Sequence, residues 1–408
     1  MSTTYPPSSS RIGNAGASRA PHRLPRVALL TNMPSPYVLG FFNKLAGGCD
    51  LHVVFDALSE PNRQWTLQPD RMQFAYSIAR GWTVPYARRA LVPGEKRDTR
   101  YLQLRWDVVP RLRALKPDVV AAFEMGPRSL QAALYCLATR TPLLLRWEGT
   151  RHTEGWVGPG KQVARRFLVK VARRFWSNGS ESSSLLMDYG APARAIDSAM
   201  MGADVDYFIG QAAGMQRQRS AIRDELGLGG AVLLYVGRYV EAKGLRQYLQ
   251  ALHALCQEST TDLSAIFVGD GPMASELRAF AADHPGRRIL VEGFVQQEAI
   301  SRFHAAADAF VLPTLEDNWS IASLEALAAG LPQLFSVYNG ATSDLLADPR
   351  IGRVADPLQP GSMERQLREM VTGGLPRVPA ELIESAISER RPTAIADRAL
   401  RSIQTILD

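Results

Sequence analysis

From Arg26 the chain alternates short, wholly apolar runs with longer stretches in which apolar residues recur every three or four positions. RVALLTNM reads as a strand and GFFNKLAGG, after the Pro-Ser-Pro turn at residues 34–36, as the helix behind it. LHVVFDA, PDVVAAFE and TPLLLRWE repeat the strand pattern, with YLQLRWDVVPRLRALK and RSLQAALYCLAT as predicted helices between them. Strands that are apolar throughout are buried on both faces, so this order predicts a parallel sheet covered by helices on each side.

The rhythm restarts at AVLLYVG, residues 231–237, and continues through GLRQYLQALHALCQ, AIFVGD, ASELRAFAADH, ILVEGF, QEAISRFHAAA, AFVLPT and SIASLEALAAG. A second α/β unit is therefore expected, joined to the first in GADVDYFIGQAAGMQ, where the periodicity lapses. At 408 residues the chain exceeds what one hydrophobic core fills, which agrees with two domains. The predicted division is 25–208 and 209–390, followed by a helix at 391–408 that can cross back to the N-terminal domain. Residues 1–24 are rich in Ser, Pro, Gly and Arg, lack the apolar centre of a signal peptide, and read as a disordered tail.

Composition narrows the compartment and the chemistry. No run of about 18 apolar residues occurs, which argues against a spanning helix. Cys49, Cys136 and Cys256 stand far apart, and the six histidines fall singly, so neither a disulfide framework nor a metal site is indicated. The expected location is cytoplasmic, with at most peripheral contact to the inner face of the membrane.

The net charge of +7 is unevenly shared: residues through Phe208 carry 28 Lys and Arg against 16 Asp and Glu, and the remainder 19 against 24. Such asymmetry turns the first half toward something anionic, such as a phospholipid surface, a lipid diphosphate or nucleic acid. KQVARRFLVKVARRFW, residues 161–176, concentrates six basic residues and no acid. A helical projection places Val163, Ala164, Phe167, Leu168, Val171 and Phe175 on one face and Arg166, Lys170, Arg173 and Arg174 on the other. The segment reads either as a domain helix with its apolar face in the core or as a surface helix drawn to anionic lipid. Both hold if only the basic face meets headgroups.

The strongest chemical signal is LLYVGRYVEAKGLRQYL, in which a strand ends at Gly237, Arg238 follows, and a short loop reaches Lys243-Gly244 ahead of a helix. Glycine permits close backbone approach, a helix N-terminus offers unpaired N–H groups, and two cations flank them, which suits a diphosphate. The plainer alternative is a turn with two solvated basic residues. A second signal is AFVLPTLEDNWSIASLEALAAGLPQLF: a strand, an acidic loop, and a helix from about Ser320. From one or two turns into that helix the Glu325 carboxylate can accept hydrogen bonds from vicinal hydroxyls such as those of a ribose. Asp317 stands eight residues earlier. An N-capping role for Asp317 and a surface charge at Glu325 are the alternatives.

These residues resemble the nucleotide-sugar glycosyltransferases of family four (group 1), which are retaining enzymes of the GT-B fold. Four motifs stand in that family's order between about Val232 and Asp348: VGR…KG, VGDGP, EGF and EDNWSIASLEALAAGLP. The resemblance implies an α/β protein with two Rossmann-like parallel-sheet domains facing across a cleft. It implies that Arg238 and Lys243 bind the donor diphosphate, with Gly237 and Gly271 among the donor-binding positions. Glu325 would hold the ribose, Phe294 and Val295 would lie near the base, and the backbone of Trp319, Ser320 and Ile321 would meet phosphate.

The sequence departs from the family at several points. The first acid of the pair, usually Glu, is Asp317, with Glu316 beside it as a second candidate. After LLLRW, where many relatives carry a His that contacts the sugar, stand Glu148-Gly149, with His152 four residues on; either is a candidate for that role. Pro34-Ser35-Pro36-Tyr37 replaces a Gly-rich loop. The DxD match, Asp204-Val-Asp206, falls in a segment that resembles the family's interdomain NGVDxxxF.

The implied activity is transfer of a sugar, with retention, from a UDP- or GDP-sugar to a glycan, lipid-linked or metabolite acceptor. Arg238, Lys243, Asp317 and Glu148 are the catalytic candidates, and the cations stabilise charge growing on the leaving diphosphate. No metal, cofactor or nucleic acid is expected. An epimerase or sugar-phosphate synthase of the same fold would need acid–base residues or an acceptor-phosphate site that the sequence does not display. A noncatalytic basic binding protein is the reading from another class, but no zinc-finger or RNA-binding signature accompanies the charge. The first strand is not followed by GxGxxG, which argues against a dinucleotide dehydrogenase.

Overall fold

The computed structural model describes residues 23–60, 69–87, 99–198, 202–258, 262–374 and 376–408. The predicted tail therefore lies outside the described residues, except for Arg23 and Leu24. The first half runs β1 (Arg26–Thr31), α1 (Pro36–Ala46), β2 (Asp50–Phe55), β3 (Ala75–Ile78), β4 (Gly81–Ala87) and β5 (Thr99–Arg105). It continues through α2 (Val108–Leu115), β6 (Val119–Phe123), α3 (Pro127–Thr139), β7 (Leu143–Trp147), α4 (Arg151–Glu154) and α5 (Pro159–Val171). Strand β8 (Arg174–Ser177), α6 (Ser180–Asp188) and β9 (Ile196–Ser198) complete it. Helices α7 (Val205–Gln216) and α8 (Arg219–Leu226) lead into β10 (Ala231–Val236), α9 (Leu245–Cys256), β11 (Leu263–Val268), α10 (Ala274–Ala282) and β12 (Arg288–Glu292). There follow α11 (Gln297–Ala306), β13 (Ala309–Leu312), α12 (Ile321–Ala328), β14 (Gln333–Ser336), α13 (Thr342–Leu345), β15 (Gly352–Ala355), α14 (Ser362–Gly373), α15 (Ala380–Ile387) and α16 (Pro392–Leu407).

Two parallel sheets result, in the orders β3-β2-β1-β6-β7-β8-β9 and β12-β11-β10-β13-β14-β15. Strands β6, β7 and β11 are buried at every position, Arg146 of β7 and Ser264 of β11 included, as helices on both faces require. The strand order reverses between β1 and β6 and again between β10 and β13. Ligands of open parallel sheets bind beyond the strand carboxyl ends at such reversals. Here those ends point at each other. His152, after β7, donates its Nε2–H to Leu315 O, after β13, at 2.8 Å and stacks on Tyr338, after β14. The Ser180 N–H, after β8, donates to the Asp344 carboxylate at 3.2 Å. The two sheets thus face across a cleft whose lips touch at these contacts.

The structure corrects three expectations. YLQLRWDVVPRLRALK is not one helix: Tyr101–Arg105 belong to β5, paired antiparallel with β4 as a separate ribbon, and only Val108–Leu115 is helical. Its apolar residues fit a period of two as well as one of 3.6, and the pairing with β4 decides. The segment GADVDYFIGQAAGMQ, where the pattern lapses, is mostly helix α7, seated by buried Val205 and Phe208 and capped by the Asp204 side chain, which accepts from Tyr207 N at 3.3 Å. Helix α5 does not bury the predicted face. Leu168, Val169 and Arg165 are buried, whereas Val163 is 68% exposed and Phe167 37%. Arg165 takes the inner position because it pairs with Glu154 and its guanidinium lies 4.7 Å from the Trp147 ring centre. Phe175 belongs to β8, outside the helix.

Helix α16 returns to the first half. It packs on α1, buries Ile395, Ala399 and Ile403, and sets Ser402 Oγ 3.2 Å from Arg174 Nε. The two passages of the chain between the halves lie side by side, with Arg391 Nε 2.8 Å from Asp206 Oδ1.

Candidate active site

One lip of the cleft is made of loops at the carboxyl ends of β10, β11 and β13. Gly237 and Arg238 follow β10, and the Arg238 carbonyl accepts the Tyr235 hydroxyl at 2.8 Å. The β11 loop lies directly on them, where a Cβ at Gly269, φ +147°, would collide with the Gly237 carbonyl. Gly271 lies against the Tyr239 backbone and donates its N–H to the Asp270 carboxylate at 2.8 Å. Gly244, φ +66°, caps α9 in the left-handed region and lets the β10 loop meet the Pro313 carbonyl with no room for a side chain. Leu315 N and Thr314 Oγ1 both donate to Ala242 O at 2.9 Å, fastening the acidic loop to the lysine loop.

This knitting brings two predicted residues into contact. Lys243 Nζ lies 2.5 Å from Asp317 Oδ2, while Glu316 precedes it in the half-buried part of the same loop. Ser320 caps α12, its side chain accepting from Ser323 N at 3.3 Å, so the helix and Ile321 start directly from the acidic loop. Trp319 lies against Gly179 of the facing half, while within its own half its Nε1–H donates to Asp344 Oδ2 at 3.1 Å and the Arg390 guanidinium lies 5.6 Å from its ring centre. Glu325 is 5% exposed and has no side-chain hydrogen bond or ion pair among the described residues. Burial pushes its carboxyl up to about 8. At the end of β12, Phe294 is exposed and Val295 packs partly against the core.

The facing lip is built from side chains. Asp56, after β2, forms a buried ion pair with Arg128 of α3, and Arg105 Nε lies 3.9 Å away. Burial raises the Asp56 carboxyl above its usual range even so. Arg128 also reaches Glu124 at 3.7 Å, and Glu124, after β6, has φ +67°, a conformation non-glycine residues adopt at some strain. Glu148, after β7, pairs with buried Arg146, which in turn donates to Asn178 at 3.2 Å. His152 does not stand free at the cleft. It bridges to Leu315 O and Tyr338, so it holds the acidic loop from across the interface.

Sequence reasoning missed Asp344, Tyr338, Arg128 and Asp56. Asp344 joins Trp319 to the Ser180 backbone 164 residues away in sequence, and no local pattern marks such a partner. Buried Arg128 and Asp56 were visible only as polar residues beside apolar runs. Asp204 caps α7 and Asp206 pairs with Arg391, so both acids of the DxD match are occupied. Among the described residues there is no cluster of three or more His, Cys, Asp or Glu able to hold a metal ion, and no helix long and apolar enough to cross a membrane.

Comparison with known proteins agrees with this arrangement. Residues 218–388 match the family described as Glycosyl transferases group 1. The 2-deoxystreptamine glucosyltransferase of Streptomyces kanamyceticus is 29% identical over 183 residues, 42% of this chain and 46% of that protein. The D-inositol 3-phosphate glycosyltransferase of Xylanimonas cellulosilytica is 28% identical over 175 residues, 42% of each chain. The match thus spans about half the length of these curated relatives. Among solved structures, Anabaena HepE in complex with UDP superposes with a TM-score of 0.70 at 16% identity, covering 93% of this chain and all of that one. The chain as a whole has the GT-B fold, and its residues 218–388 are similar to the group 1 glycosyl transferases.

Proposed function

We propose that the protein transfers a sugar from a nucleoside-diphosphate sugar, with UDP or GDP as the nucleotide, to a glycan, lipid-linked or metabolite hydroxyl with retention of configuration. The observation that carries this reading is Glu325, a buried carboxyl with no side-chain partner among the described residues, on the helix that starts from the acidic loop. A buried polar group without a partner is costly, and a ribose diol would satisfy it. The UDP in the HepE complex supports the choice of nucleotide, and the glucosyltransferase and D-inositol 3-phosphate glycosyltransferase names support a hydroxyl acceptor.

In this reading Arg238, Lys243 and the N–H groups at Ser320 and Ile321 face the diphosphate. They stabilise the negative charge that develops as the bond from the anomeric carbon to phosphate oxygen breaks. The acceptor hydroxyl forms its bond on the same face and passes its proton to the departing phosphate oxygen. The two side-chain cations supply the charge a divalent ion would otherwise bring, so chelation leaves the rate unchanged. Asp317, fixed by Lys243, and Glu148, fixed by Arg146, line the sugar from opposite lips. Phe294 flanks the base. The exposed Arg166, Lys170 and Arg173 of residues 161–176 support contact with an anionic membrane surface, where a lipid-linked acceptor would reside.

The test is thermal stability with UDP, GDP, ADP and TDP and their sugars, on the natural protein and a Lys243→Ala/Glu325→Ala variant. Ligand at about 100 times its dissociation constant stabilises by roughly 2.7 kcal/mol. A base-selective shift confined to the natural protein is expected. If no nucleotide shifts the transition, even with acceptors added, the donor reading is wrong.

A further inference from the structure

Strands β10, β11 and β12 are parallel neighbours, so the helices that connect them, α9 and α10, cross over on one face of the sheet and lie beside each other. Positions 246, 249, 250 and 253 share one side of α9 by their three- and four-residue spacing, and 276, 279, 280 and 283 share one side of α10. Between the two rows runs a groove of about 590 Å³, a volume in the range of small-molecule sites. Its floor is apolar, from buried Leu249 and the half-buried Phe280 ring. One end is closed by Arg246, which is held between Glu276 at 2.9 Å and Glu241 at 3.2 Å, so its charge is already met.

At the other end stand two imidazoles whose tautomers the hydrogen bonds fix. Buried His284 has Nδ1 2.8 Å from the Phe280 carbonyl, which can only accept, so in the neutral ring Nδ1 carries the proton and Nε2 is an acceptor. His253 Nδ1 lies 2.9 Å from that Nε2 and is therefore the donor. This leaves His253 Nε2 as an acceptor on an exposed ring that lines the groove. Asp283, also in the lining, has no side-chain partner among the described residues. Arg287, which follows, donates instead to the Cys256 and Glu258 carbonyls at 3.3 and 2.7 Å.

We infer that this groove binds a small organic ammonium compound, one that joins a protonated amine to an apolar face. Its N–H groups meet the Asp283 carboxylate and the bare His253 nitrogen, and the face of the Phe280 ring attracts the same positive charge. A neutral polyol would satisfy the acceptors but leave the carboxylate uncompensated. An anion would face Asp283 with Arg246 already committed to two acids. The inference goes beyond the donor site and does not rest on it, since none of residues 237–244, 294–295 and 317–325 lines the groove. Amino sugars and simple amines share this chemistry, and the test separates them.

The test is calorimetric titration of the full chain at pH 7 in an amine-free buffer, with cyclohexylamine against cyclohexanol and glucosamine against glucose. At least one amine binds about tenfold more tightly than its uncharged counterpart, and which one does so tells a simple amine from an amino sugar. Asp283→Asn changes an exposed side chain, keeps the melting transition and any shift given by UDP, and loses about tenfold in amine affinity. Should UDP give no shift, the amine titrations still decide. Equal binding of charged and uncharged compounds, binding of neither, or amine binding that Asp283→Asn leaves unchanged would each overturn the inference. Binding of Zn²⁺ that His253→Ala abolishes, without binding of either amine, would do the same and assign the imidazole pair to a metal.

Discussion

In the C-terminal half the strand ends are closed by backbone: glycines at 237, 244, 269 and 271 let the loops lie on one another, and the nearby cations, Arg238 and Lys243, ride on them. In the N-terminal half the equivalent positions are held by side chains, with Asp56, Glu124 and Glu148 paired to Arg128 and Arg146. The outer surfaces differ in the same way. Of the large apolar side chains exposed among the described residues, sixteen precede residue 208 and five follow it, and the basic excess lies on the same side as the sixteen. Two sheets of similar strand order are thus finished differently, which on the proposed function matches them to different partners. Backbone donors suit a diphosphate, whose shape is constant, whereas a side-chain network can be re-cut residue by residue for an acceptor that varies.

The contrast can be broken first at Arg128. Its replacement in Arg128→Ala leaves the Asp56 carboxyl buried with only the more distant Arg105, and a loss of about 3–5 kcal/mol is expected in denaturant unfolding. Burial already raises Asp56, and a raised acid is stabilising at low pH and loses that contribution as pH rises, so the variant's deficit grows from acid to alkaline buffer. A deficit that does not depend on pH would mean that Arg128 acts by packing alone.

A smaller effect of opposite sign belongs to Glu325. With its folded-state value at about 8, its contribution is full at acid pH and is lost as pH rises through that value. Glu325→Gln cannot ionise, so it gains on the natural protein by on the order of 3 kcal/mol near pH 9 and by almost nothing near pH 5. The same variant binds UDP-sugar more weakly in calorimetry. Stabilisation without loss of binding would remove Glu325 from the donor site. The smallest expected change is at the junction of the lips: His152→Ala forfeits the bond to Leu315 O, about 1 kcal/mol, and raises KM for the donor more than it lowers kcat.

The sheets were legible because strands such as Val119–Phe123 and Ala309–Leu312 are apolar without interruption and can only be interior. The meeting of Lys243 with Asp317 was legible because both lie just beyond strand ends that the same pattern marks. Residues whose role depends on a distant partner were not. Arg165 occupies the inner side of α5 because Glu154 and Trp147 wait there, and helical periodicity carries no information about either. His152 was marked as a candidate contact to sugar, but the structure engages it with the opposite domain, a pairing that only the approach of the two lips creates.

Helix α16 gives the molecule an order of assembly. It completes the packing of α1 and β8, yet it follows the whole C-terminal sheet along the chain. On a ribosome the second half can therefore close while the first still lacks a wall, leaving the surface that Ile395, Ala399 and Ile403 will cover open to chaperones. The half translated first is the half finished last.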